Sequence, residues 1–414
     1  MKSQDAESKH HVLIAGGGIT GLESLMAVRD LAGGGVRITL AAPDPDFVYK
    51  PLIVEEPFSA QPTEQHALAP IAEEFDAEFI QKSVTGVHPE QRSTELSDGS
   101  ALSYDKLIVC IGARQRPAFD DAVTLPVDGA PLGIDALLGE ASTAETQRMA
   151  FVIPPGRTWP LPVYELALLA RRRSIELGLG EVESWLVTPE EAPLINFGPA
   201  ASDAVSALLE ARGIHVQAGA RVKELKDGGL ILVPGDERLE VGRVVALPLL
   251  EGPALKGLPS DSAGFLPIDD HARVRGTDDV FAAGDGTNFP IKHGGLGTQQ
   301  ADAAAEQIAA DLGRAADPQP FHPVIRGKLL TGDESLHMQH DVAGGGGGGT
   351  ASPDYLWWPP QKVSGRYLAP WLGHESSQLD EPPQHSIDVE VGLPKEWHEQ
   401  PMALDPDQTP PAPD

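Results

Sequence analysis

The chain is short of cysteine, aromatic residues and positive charge, and each shortage closes off a class of function. One cysteine in 414 residues, Cys110, leaves no partner for an intrachain disulfide, structural or redox-active, and no basis for a cysteine-ligated metal cluster. Lys and Arg number 31 against 61 Asp and Glu, a formal charge of -30. That balance argues against nucleic acid and anionic membrane surfaces as partners and serves solubility. No apolar run approaches the roughly 18 residues of a membrane span, so no integral membrane segment is expected. The polar start MKSQDAESKH lacks the apolar core of a signal peptide. A cytoplasmic protein is expected, with enough apolar content, 41%, for two or three domains with cores of their own.

What is abundant is glycine in particular places. His11 to Glu23 reads HVLIAGGGITGLE. The run Val12 to Ala15 predicts a buried strand, and Gly16, Gly18 and Gly21 hold the three positions of a GxGxxG turn. GLESLMAVRDLA then has helical period, and VRITLAA supplies the next strand. Strand, glycine turn, helix and strand place a pyrophosphate on a helix N-terminus, where free N–H groups and the dipole both favour an anion. A plain glycine-rich connector is the alternative. The carboxylate expected about 20 residues on, to bind a ribose, is missing: Ala41 and Ala42 stand there. Asp44 or Asp46 offers a substitute from the loop, although an Asp between prolines also serves simply as a turn residue.

A second signature, TDDVFAAGDG at Thr277 to Gly286, predicts a strand ending in a glycine, with Asp285 placed to accept hydroxyl hydrogen bonds from a sugar or ribityl chain. A turn-capping Asp is the other reading. Taken with the N-terminal turn and with LSDGSALSYDKLIVCIGARQRP at Leu96 to Pro117, this pattern resembles the FAD-dependent pyridine nucleotide-disulfide oxidoreductase superfamily over residues 10 to 375. The resemblance implies FAD as cofactor. It places the pyrophosphate at Gly16, Gly18 and Gly21, the closing glycine of the middle segment at Gly112, and the ribityl-binding pair at Gly284 and Asp285. It sets Val84 where backbone groups hold the adenine. It also aims the helix beginning GGLGTQQ, with Thr298, at the pyrimidine edge of the isoalloxazine. Lys292 and His293 come just before that helix. Either lies at the flavin, Lys292 as the one catalytic candidate, or is a solvated loop residue.

Between the two FAD segments such proteins carry an NAD(P)H domain built on a second glycine turn. Here the surroundings are kept, in EVESWLVTPEEAPL and ASDAVSALLEARGIHVQAGARVKEL, but the turn itself reads IPPGRTWPLP. Proline has no N–H to offer a phosphate, and Trp159 fills space that a pyrophosphate needs. Glu190 or Glu191 could still bind a ribose. The proline-rich turn, together with LWWPPQKVSGRYLAPWL, is similar to sulfide:quinone oxidoreductases, flavocytochrome sulfide dehydrogenases and their type II NADH dehydrogenase cousins. Those sulfide-oxidising enzymes use a cysteine pair that this chain cannot supply, and Cys110 sits in an apolar strand where packing is its expected role.

The expected fold class is α/β. Two Rossmann-like three-layer domains are predicted, with a discontinuous FAD-binding domain (10–118 and 253–323) around a degenerate NAD(P)-binding-like domain (119–252). A C-terminal interface region (324–375) and a disordered acidic, proline-rich tail (376–414) follow. Trp357, Trp358, Tyr367 and Trp371 line an apolar pocket or pack an interface, and six consecutive glycines read as a flexible insertion. The expected function is a soluble FAD-dependent oxidoreductase passing two electrons from a small-molecule donor to a quinone-like or protein acceptor, with no metal. An NAD(P)H dehydrogenase and a flavin-binding partner without turnover are the alternatives.

Overall fold

The structure, a computed structural model, describes residues 10–59, 63–125, 133–144, 147–343 and 349–375. The expected disordered tail lies outside the described residues, as does most of the six-glycine run. Two five-stranded parallel sheets, each with its own core, build the molecule.

In the first sheet the order is Val280–Ala282, Lys106–Val109, His10–Ala15, Val36–Ala42 and Ala77–Gln81. Val12 to Ala15 are wholly shielded, as befits a central parallel strand covered on both faces. The edge strand Val280–Ala282 is added only after the whole second sheet has been made, so this domain is discontinuous. The chain leaves through Arg114–Arg116 and returns through Leu249–Glu251, which pair antiparallel.

The second sheet repeats the pattern, with order Val123–Thr124, Arg243–Ala246, Arg148–Val152, Glu183–Val187 and Ile214–Gln217, all parallel. Both are thus Rossmann-like, and in both the chain turns back on itself beside the first central strand, creating a crevice at the strands' carboxyl ends. Helix Ile19–Ala32 packs along helix Gly294–Asp311 over the first sheet, while Leu161–Glu176 covers the second. An antiparallel sheet of Val324–Leu329, Leu336–Asp341 and Thr350–Ser352 joins the second core through Ile325, Leu329 and Met338. The last helix, Leu368–Glu375, instead buries Leu368 and Leu372 in the first core, so the C-terminal segment spans both. No helix among the described residues is long and apolar enough to cross a membrane.

Candidate functional site: one open crevice and one closed

At the switch point of the first sheet, three chain segments come into contact through glycines. A Cβ at Gly16, where φ is +118°, would lie 2.2 Å from the Cys110 carbonyl oxygen, and one at Gly21 would lie 1.9 Å from the Gly16 carbonyl oxygen. One at Gly284 would lie 2.6 Å from Thr20 Oγ1, and one at Gly286 2.9 Å from the Gly112 carbonyl oxygen. These glycines let the turn after His10–Ala15, the end of Lys106–Val109 and the loop after Val280–Ala282 close on one another. The Asp285 loop is braced from both sides: the Gly284 N–H donates to Gln300 Oε1 at 2.8 Å and Thr287 Oγ1 donates to the Gly284 carbonyl at 2.9 Å.

Gly18 differs from the others. It is exposed, its φ of -84° suits any residue, and an added Cβ would meet nothing within 4 Å. No protein contact requires a glycine there. Three further features share this surface. Ile111 is 36% exposed, one of only four large apolar side chains so exposed among the described residues. The starts of helices Ile19–Ala32 and Gly294–Asp311 carry no side-chain cap and no acid in the first turn. The Asp285 carboxylate, partly exposed, accepts no hydrogen bond from a described residue. Its surroundings push it above the ordinary carboxylate range, with Lys292 pulling the other way.

Lys292 is 2% exposed, donates from Nζ to the Thr287 carbonyl, and lies 3.9 Å from the centre of the Phe265 ring. Burial brings its ammonium down to about 7 against the opposing charge of Asp285, with which it makes no direct ion pair. His293, at the helix start, is buried and held neutral, pushed down to about 3. Thr298 spends its hydroxyl on the Gly295 carbonyl, one turn back in the same helix. Val84 begins a strand, Val84–His88, that pairs with Ser93–Leu96. Asp44 and Asp46 are both exposed, beyond Ala42, whose side chain packs at Gly17. Cys110 is buried with its Sγ 3.5 Å from Ser24 Oγ, and burial pushes the thiol up to about 12.

Residues 165–307 match the family model described as pyridine nucleotide-disulphide oxidoreductase. A rhodocoxin reductase from Rhodococcus erythropolis is 29% identical over 306 residues, covering 68% of this chain but 65% of that protein. A probable NADH dehydrogenase from Dictyostelium discoideum is 25% identical, covering 77% of this chain and 79% of that one. The crystal structure of the sulfide:quinone oxidoreductase from Aquifex aeolicus superposes with a TM-score of 0.72 over 80% of this chain and 84% of that one, at 19% identity. Over these stretches the chain is similar to FAD-dependent pyridine nucleotide-disulfide oxidoreductases. FAD is the cofactor that this likeness indicates, and at the switch point of the first sheet the exposed Gly18, two helix starts with no acid in the first turn and the Asp285 carboxylate fit such a group.

In the second sheet the corresponding strand-to-helix loop is packed against other side chains. After Arg148–Val152 the loop runs through Pro154 and Pro155 to Pro160, which precedes helix Leu161–Glu176. Its Trp159 ring sits 4.3 Å from the His293 ring and 5.5 Å from Phe197. Its Arg157 pairs with Asp261 at 2.5 Å and lies over Phe265 at 4.8 Å. The loop is therefore clamped to the first domain. Glu190, after Glu183–Val187, is turned inward: Tyr164 Oη donates to its Oε2 at 2.7 Å and Thr188 Oγ1 at 2.9 Å. Burial pushes that carboxyl up to about 7. Glu191, beside it, is exposed.

The four aromatic residues near the C-terminus do not meet in one pocket. Trp357 is buried and bonds its Nε1–H to the Gln361 carbonyl, in a group with His337, while Trp358 packs on Tyr355. Tyr367 reaches Asp30, and Trp371 reaches His66 and Glu74.

Proposed function

We propose that the chain takes two electrons from a donor other than NAD(P)H and passes them through FAD to a quinone-like or protein acceptor, without a redox disulfide. The observation that carries this reading is the contrast between the two strand-to-helix turns, one with the unobstructed Gly18 and one whose Trp159 and Glu190 are engaged with His293 and Tyr164. The domain division, an FAD-binding domain of 10–118 and 253–323 with 119–252 between, is part of the proposal, as is a cytoplasmic location. A protein acceptor draws support from the rhodocoxin reductase relative and a quinone from the fold shared with the sulfide:quinone oxidoreductase.

In this reading Gly18 leaves room for the pyrophosphate, Gly16 and Gly21 let the turn's own backbone fold tightly beneath it, and the first turn of Ile19–Ala32 would supply its N–H donors. Asp285 would accept hydrogen bonds from ribityl hydroxyls, Gly112, at a φ of +70°, would turn the chain beside it, and Val84 would present backbone groups to the adenine. FAD, when bound, supplies reversible two-electron chemistry. Lys292, poised near neutrality, holds or releases a proton at Nζ beside that site. Thr298 contributes by position in the helix, since its hydroxyl is already engaged.

Asp285→Ala is expected to weaken FAD retention by about 1.5 to 3 kcal/mol, the range for a hydrogen bond to a charged group, while Asp44→Ala leaves it nearly unchanged. Equal retention in both, measured by flavin fluorescence after gel filtration, would remove Asp285 from the site.

The donor is tested by anaerobic bleaching of the bound flavin with sulfide and small thiols, followed by reoxidation with a soluble quinone or an oxidised iron–sulfur protein. Bleaching and reoxidation by one such pair are expected. Bleaching by NADH alone would favour the dehydrogenase reading that the Dictyostelium relative suggests, and a flavin that no donor reduces would favour a partner without turnover.

A further inference from the structure

Two acidic side chains meet where helices Ile19–Ala32 and Gly294–Asp311 pack together. Glu23 is fully buried, its Oε1 accepting the Tyr367 N–H at 2.9 Å and its Oε2 the Leu368 N–H at 2.8 Å. It therefore caps helix Leu368–Glu375, and the dipole of that helix favours its negative charge. Asp302 is in hydrogen-bond contact with Glu23, and its own Oδ1 is shielded from solvent with no partner. The other charged groups facing the pair are few. Arg366, from the C-terminal segment, faces Asp302 but sits 3.5 Å from Glu306 on the second helix, and its side chain is 43% exposed. Asp30, on the first helix, receives the Tyr367 hydroxyl at 3.0 Å. Carboxyl groups thus outnumber the single guanidinium.

Two carboxyl groups in contact and away from water do not both ionise. The backbone donors hold the charge on Glu23, so the shared proton resides on Asp302, which donates it to Glu23. The same segment lies over the helix starts at the open crevice. Val363 Cγ2 would be 3.1 Å from a Cβ at Gly294, and a Cβ at Gly365 would be 2.4 Å from Glu23 Oε2 and 3.2 Å from Thr298. We propose that Glu23 and Asp302 form a proton-operated latch, which holds residues 365–375 across the two helices while the pair shares one proton and releases them when that proton is lost.

The sign follows from burial, which raises both carboxyl groups above their unfolded range. A raised carboxyl gives stability that is complete at acid pH and is lost as pH climbs through the folded-state titration. This inference stands apart from which donor reduces the flavin. Hydrogen–deuterium exchange of residues 365–375 in the full chain, corrected for the intrinsic rate at each pH, tests it. Protection in the wild type is expected to fall about tenfold or more between about pH 6 and about pH 9, one proton being worth up to tenfold per unit. Asp302→Asn, whose amide donates to Glu23 without titrating, should stay flat. Glu23→Gln should lower protection at every pH and also abolish the step. A flat wild type, or a fall equally steep in either variant, would overturn the latch.

Discussion

Gly18→Val is expected to abolish FAD binding in a protein that otherwise folds normally. The valine Cβ meets no protein atom within 4 Å, and the φ of -84° at this position carries no strain, so the apoprotein loses only the small helix-capping advantage of glycine. On the proposed reading the side chain would instead enter the space a pyrophosphate occupies. Displacing it from even two charge-assisted backbone donors costs on the order of 3 kcal/mol or more, about a hundredfold in affinity. Gly21→Ala makes the contrast: its Cβ would sit 1.9 Å from the Gly16 carbonyl oxygen, so the helix must shift and both stability and binding go. FAD titration with thermal melts of both apoproteins checks the pair. Undiminished binding in Gly18→Val would move the cofactor away from this turn.

Lys362→Met is expected to be the most destabilising single change in the C-terminal segment, by about 3 to 5 kcal/mol. Lys362 Nζ bonds Glu165 Oε2 at 2.6 Å and the Pro51 carbonyl at 2.7 Å, with both side chains almost wholly buried, and Leu330 N–H donates to Glu165 Oε1 at 2.9 Å. One ion pair therefore ties the second domain's helix, the 50–58 segment and the C-terminal segment together. Removing the cation leaves a buried carboxylate that burial already pushes upward and that Lys362 alone chiefly restrains. The orphaned Glu165 then prefers a proton, so the defect is smallest near pH 4 and grows as pH rises above the unfolded carboxyl value of about 4.3. The double change Glu165→Met with Lys362→Met should recover most of the loss. Denaturant midpoints for the three variants at two pH values measure this; a double variant no better than Lys362→Met would mean that the packing of the lysine stem, rather than its charge, is what counts.

Both Rossmann-like units were legible in the chain because their signals are local. VRITLAA is a strand over its full length, and the glycine turn precedes a helix at Ile19 as its spacing implies. The open crevice could be read from glycine spacing and the AGD-like run. The packed character of the second turn was half legible: the prolines announce missing N–H donors and Trp159 announces bulk. That Trp159 leans on His293, that Arg157 reaches Asp261 and that Glu190 turns toward Tyr164 depend on pairs separated by 26 to 134 positions, with no periodicity to announce them. Glu23, Asp302, Glu165 and Lys362 were silent for the same reason. A charged residue in a helix pattern or a loop reads as solvent-facing, and only the tertiary packing shows Glu23, Glu165 and Lys362 to be buried and Asp302 to be shielded at Oδ1.

The central claim is that the chain works with one dinucleotide, not two. Hydride transfer from a nicotinamide requires it to be held in near-attack contact by binding energy drawn from its pyrophosphate and ribose, and the loop that would grip them is clamped against Phe197, His293 and Asp261. Mixing the FAD-loaded protein anaerobically with NADH and with NADPH, and following the flavin absorbance, tests this directly. Little or no bleaching on the time scale of turnover is the predicted result; rapid bleaching that saturates in the micromolar range would contradict it.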